Sequence, residues 1–211
     1  MRWAVRVGPD AAVSLCYGNV VATRGIIFGM ALALAGCATS HGAAIDRRVS
    51  LAAVGCYQAA NGRFDSRRGL LACDIAIADR NLAPALHAAT LINRGVVHIR
   101  SHAYVAAIGD FNAAIAEAPD NADAYLNKGI ALLQMGGREA EAVGVLTEAL
   151  DHGPDKPELV YYHRAGAYES LGRLRNAYDD YAEAAQLAPG WAEPASQLQR
   201  FKFIRRKTLA G

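Results

Sequence analysis

Between Ala88 and Trp191 one residue pattern is written three times at a fixed displacement, and this bounds what the chain can fold into. Ala107, Phe111, Ala114 and Pro119 recur 35 residues later as Ala142, Leu146, Ala149 and Pro154, then 35 later again as Ala177, Tyr181, Ala184 and Pro189. Upstream in each copy a cation precedes a small residue: Arg94-Gly95, Lys128-Gly129 and Arg164-Ala165. A fixed period of this length marks stacked helical hairpins rather than one closed core. Two helices approach closely only where facing positions are small, which Gly95, Ala107 and Ala114 supply. Phe111, Leu146 and Tyr181 are expected to fill the space between hairpins. Each proline follows a second helix, where a residue without N–H ends the helix at no loss of a bond. Asp120-Asn121 then offers a cap for the next helix.

These residues resemble the tetratricopeptide repeat (TPR) family, whose unit is two antiparallel helices over about 34 residues. The first copy fills the unit's bulky and small places with Leu91, Gly95, His98, Ala107, Phe111, Ala114 and Pro119, His98 being the weakest member. The second supplies Tyr125, Gly129, Leu132, Ala142, Leu146, Ala149 and Pro154, with an inserted residue in the Gly136-Gly137 turn. The third supplies Tyr161, Ala165, Tyr168, Ala177, Tyr181, Ala184 and Pro189. The resemblance implies an all-α, TPR-like helical hairpin solenoid, with three repeats at 88–121, 122–156 and 158–191 inside the span 84–191.

Ahead of them, Ala44–Ala60 and Ser66–Asp79 read as two helices about the turn signal Asn61-Gly62-Arg63. This hairpin, 44–80, is degenerate: no proline closes it, and the small residue of its first helix is out of register. Terminal repeats are expected to be atypical because one face meets solvent. Beyond the last proline, 192–211 reads as a capping helix with Leu198, Phe201 and Ile204 on one stripe and a basic tail. The cations Arg200, Lys202, Arg205, Arg206 and Lys207 suit anionic lipid or peptidoglycan, or simply the negative end of their own helix.

The amino terminus reads as an address. Arg24 precedes an apolar run, Ile26 to Ala35, too short to span a bilayer and suited to the core of a signal peptide. Its end, Leu34-Ala35-Gly36-Cys37, resembles the lipobox of bacterial lipoproteins. That resemblance implies a signal peptide at 1–37 cleaved before Cys37, acylation of Cys37, and 38–43 as a linker. Several acyl chains anchor firmly where one is marginal. Ala38, rather than Asp, after the cysteine resembles outer-membrane sorting, with the protein facing the periplasm. Two alternatives stand: cleavage after Ala31-Leu32-Ala33 to give a soluble periplasmic protein, or an uncleaved anchor. Met1 to Thr23 form a long leading region, which leaves a start further downstream open. The formal charge of +2 comes from this leader, since Arg2, Arg6 and Arg24 outweigh Asp10. The remainder is balanced and carries no nucleic-acid footprint.

Four cysteines occur. With Cys16 in the leader and Cys37 acylated, Cys56 and Cys73 remain, on facing helices of the degenerate hairpin. In an oxidising compartment such a pair commonly bridges; the alternative is two reduced cysteines packed as small apolar groups.

Catalysis finds little support. His98 and His102 have the spacing of a helical metal pair, but no carboxylate accompanies them and His102 falls in a turn. His163 has no nucleophile at a readable spacing, Gly136-Gly137 is a turn and not a phosphate cradle, and Asp179-Asp180 reads as a solvated face. No catalytic residue, metal or cofactor is expected. In TPR arrays the first helices line a concave groove. The matching residues here are Ile92, Asn93, Val96 and Arg100, then Asp123, Leu126, Asn127, Ile130 and Gln134, then Tyr162, His163 and Glu169. Asn93, Asn127 and His163 share one place in successive repeats, a ladder able to hydrogen-bond a peptide or helix backbone, with Ile92, Leu126 and Tyr162 gripping side chains. The family's clamp for acidic chain ends is absent, since Ile92 and Val96 stand where it needs Lys and Asn. The expectation is a non-enzymatic interaction scaffold, a lipoprotein of the bacterial cell envelope docking another envelope protein. The alternatives are an adaptor of a peptidoglycan or polysaccharide enzyme, and a cryptic periplasmic hydrolase or metal site.

Overall fold

A computed structural model describes residues 42–208, with side chains described for 51–201. The expected signal peptide, Cys37 and most of the expected linker therefore lie outside the described residues, as do the side chains of Ile204 and of the tail cations after Phe201. The described chain is helical throughout, with elements α1 Gly42–Ala60, α2 Ser66–Ile77, α3 Pro84–Arg100, α4 Tyr104–Glu117, α5 Ala122–Met135, α6 Glu139–Asp151, α7 Pro157–Ser170, α8 Leu174–Leu187 and α9 Ala192–Thr208. Each helix packs on the next, and the first helices α1, α3, α5 and α7 also touch in sequence along one side. No helix among the described residues is long and apolar enough to cross a membrane.

Local chemistry sets the boundaries. Pro84 and Pro157 open α3 and α7 in their first turn, where a missing N–H costs nothing. Asn121 caps α5, its side chain accepting from the N–H groups of Asp123 and Ala124, and Asp65 caps α2 by accepting from Arg68 N–H at 3.0 Å. In the inserted turn Gly136 and Gly137 adopt φ of 77° and 71°, a left-handed conformation costly for any residue with a Cβ.

The small-residue places do what their size requires, with one difference of partner. A Cβ added at Gly95 would stand 2.5 Å from the Phe111 ring, and one at Gly129 would stand 2.5 Å from Leu146. Phe111 and Leu146 therefore seat on the glycine of their own hairpin rather than only filling the space between hairpins. Among the described residues the core forms three clusters, one of them joining Ala53, Ala76 and Leu82 at the amino-terminal end. A main cluster runs from Ala59 and Ala60 through Phe111 and Leu146 to Val160 and Ala167. A smaller one joins Ala165, Ala177, Tyr181 and Phe201, with Tyr162, Tyr168, Tyr178 and Leu198 packed on it. Phe201 carries α9 onto the last hairpin, 6.2 Å from Tyr178 and 6.0 Å from Tyr181 between ring centres. Cys56 and Cys73 are joined by a disulfide between α1 and α2, with both residues fully buried.

Candidate functional site

The residues read as a groove divide by burial. Ile92, Val96, Leu126 and Ile130 are buried in the main core. The first helices of so short an array pack against one another, so these side chains serve the stack, and Ile92 and Leu126 present no gripping surface. Arg100 donates from Nη1 to the Ala59 carbonyl at 2.5 Å, closing the carboxyl end of α1 rather than facing a ligand. Glu169 accepts from Tyr181 Oη at 3.3 Å and from Arg200 Nη2 at 2.7 Å, which ties α7 to α8 and α9. Tyr162 stacks in the terminal aromatic cluster, 4.7 Å from Trp191 and 5.5 Å from Tyr181. The third repeat's share of the groove is thus occupied by the capping helix and its loop.

Asp123, Asn127 and Gln134 of α5 and Asn93 of α3 are the remaining groove residues by register in the first two repeats. Gln134 is exposed and Asp123 half-buried. Burial, then the charge of Asp155, raises the Asp123 carboxyl above its ordinary value, with Lys156 opposing. Asn127 donates from Nδ2 to the Asp123 carbonyl one turn back at 2.8 Å, a local helix bond. Asn93 is 4% exposed, and its Oδ1 accepts no hydrogen bond in the structure. A buried acceptor without a donor is costly unless something supplies one. The third member of the ladder, His163, lies edge-on to Tyr162 with ring centres 5.6 Å apart. Burial lowers its pKa to about 4, so the ring is neutral.

Two residues singled out for chemistry do not converge. His98 Nε2 lies 3.7 Å from Asp110 Oδ2, while His102, in the α3–α4 turn, is 2.7 Å from Tyr104 Oη through Nδ1. Among the described residues no three His, Cys, Asp or Glu side chains are placed to hold a metal ion.

A more ordered arrangement escaped the sequence reading. Arg94 holds Asp110 through two hydrogen bonds, of 3.0 and 2.6 Å, and reaches back to Asp74 of the preceding hairpin at 2.8 Å. Arg164 does the same in the third repeat, holding Asp180 at 2.8 and 2.9 Å and reaching back to Thr147 at 3.1 Å. Its guanidinium also lies between the rings of Tyr161 and Tyr168, 5.4 and 5.8 Å from their centres. Asp180 is therefore no solvated face: it is buried and paired, while Asp179 stays open. The signal was present in the cation before each small residue, with an aspartate 16 residues on. The second repeat, with Lys128 and Val145 at these places, lacks the clamp.

The arrangement defines a class: an all-helical solenoid of stacked hairpins, closed at one end by a single helix. Residues 98–161 match the tetratricopeptide repeat family, and the described chain has the fold of a tetratricopeptide-repeat-like helical solenoid. Solved structures of MamA share the architecture. A MamA RS-1 double mutant aligns with a TM-score of 0.62 at 20% identity, over 77% of this chain and 89% of that one. A crystal structure of MamA aligns with a TM-score of 0.60 at 19% identity, over 74% and 89%. What is shared at this identity is the fold. No curated protein sequence matches the chain.

Proposed function

We propose that this chain is a non-enzymatic lipoprotein of the bacterial cell envelope, anchored through Cys37, whose concave side docks a peptide or helix of another envelope protein. The observation that carries the docking surface is the middle of the groove. There Gln134 is exposed and Asp123 half-buried on α5, and Asn93 of α3 is buried with an Oδ1 that accepts no hydrogen bond. An extended segment laid across α5 would offer backbone N–H and C=O groups to the exposed Gln134 amide and the Asp123 carboxyl. The anchor is supported by the Leu34-Ala35-Gly36-Cys37 motif. Contact of the tail with peptidoglycan loses one of its cations, because Arg200 is held by Glu169.

A photo-crosslinking residue at Gln134, in cells of the native host, tests the docking. The expected result is capture of one dominant envelope protein, lost when Asp123→Lys reverses the local charge. Capture of no protein, with the helical spectrum intact, overturns the groove as the working surface.

A further inference from the structure

We infer that the outer face of the first hairpin is a bilayer-docking surface for anionic phospholipid, laid flat on the membrane beside the acyl anchor. The residues that join this hairpin to the rest of the array are known: the Cys56 Sγ lies 3.7 Å from the Thr90 carbonyl of α3, and Gly69 lies under Val97. At about 100° per residue, a side chain two places along a helix points to the opposite side. Val54 stands two places before Cys56; Leu71 and Ile75 stand two places after Gly69 and Cys73. Leu51 falls on the same stripe as Val54, one turn earlier. All four therefore face away from α3, and they are open to solvent to 65% (Leu51), 45% (Val54), 62% (Leu71) and 55% (Ile75).

A solenoid normally ends in a polar outer surface, and the opposite end obeys this, with α9 exposing Glu193, Gln199 and Arg200. The amino-terminal end does the reverse. Arg63, Arg67 and Arg68 are exposed on the same hairpin; Arg68 has only the open, 3.6 Å contact with Asp65, which leaves its charge available. An apolar stripe with an arginine rim is the chemistry of a helix pair lying in the headgroup region of an anionic bilayer. The choice of bilayer over other occupants rests on the anchored reading above. Cleavage before Cys37 leaves residues 37–41 ahead of α1, a stub spanning at most about 18 Å. It is too short to fold back over the face and short enough to hold it against the membrane.

The test uses the unacylated chain from Ala38 onward, which contains every described residue, with vesicles of phosphatidylethanolamine and phosphatidylglycerol against vesicles of phosphatidylcholine. Cosedimentation with the anionic vesicles is expected, weakened by salt and by R67E/R68E, and reduced about tenfold or more by L71E/I75E. Both apolar positions are exposed, and circular dichroism checks that the fold persists. No binding of the unaltered chain, or binding indifferent to L71E/I75E, overturns the inference. So does a dimer in sedimentation equilibrium that L71E/I75E dissolves without any vesicle binding, which would give the face to a second copy. Because this chain carries no acyl group, the readout is independent of whether Cys37→Ser abolishes lipid labelling in cells.

Discussion

His163 is held neutral, its pKa pressed to about 4 by burial against about 6.5 in the unfolded chain. The fold thus favours the unprotonated ring, and the unfolded chain binds the proton first on acidification. The contribution is whole above pH about 6.5 and falls away as pH drops toward about 4. Chemical denaturation across that window should show stability falling with pH in the wild type, more steeply than in His163→Gln. Equal slopes would remove the burial argument. Glycines separate in the same way by what a Cβ would meet. Gly95→Ala is expected to destabilise by about 1–3 kcal/mol, because the Phe111 ring must move. Gly144→Ala, in the exposed face of α6 with nothing within 4 Å, should stabilise by up to about 1 kcal/mol through helix propensity. Urea titration of the two variants checks both signs. The close approach at Gly95 was legible because a missing side chain is itself written in the sequence. The pairing of Asp180 is written only as a spacing, Arg164 with an aspartate 16 residues on, and its partner lies on the facing helix, so the adjacent residues alone give no sign of a buried carboxylate.

At the scale of the element, the two arginine clamps join each hairpin to itself and to its predecessor. Removing one member of a partly buried, doubly hydrogen-bonded pair leaves a charge short of solvent. Asp110→Ala and Asp180→Ala should each cost about 2 kcal/mol in urea unfolding, whereas Asp179→Ala, whose contact with Arg175 is 3.9 Å and open, should change stability by less than about 0.5 kcal/mol. Similar losses at all three would show the clamps to be ordinary surface pairs. Helix order, turn chemistry and the capping role of Phe201 were readable from periodicity and punctuation. What periodicity does not carry is which face of a first helix stays open. Ile92, Val96, Leu126 and Ile130 occupy groove places by register, yet neighbouring first helices close over them.

Across the whole molecule the architecture follows from the repeat, while the groove depends on how far a short array curves and what its terminal helix covers. That is a property of all the hairpins together, and Glu169 and Tyr162 illustrate it, taken up by α9 and Trp191. The disulfide of the first hairpin has a consequence of a mechanical kind. Tension entering at the amino end and leaving through a docked partner would cross from α1 to α2 through the two sulfurs. The backbone between Cys56 and Cys73, with a sequence separation of 17 and a drawn-out length of about 60 Å, would take none of it. On the proposed anchored reading, the protein would be a tether whose slack is tied off at the knot nearest its mooring.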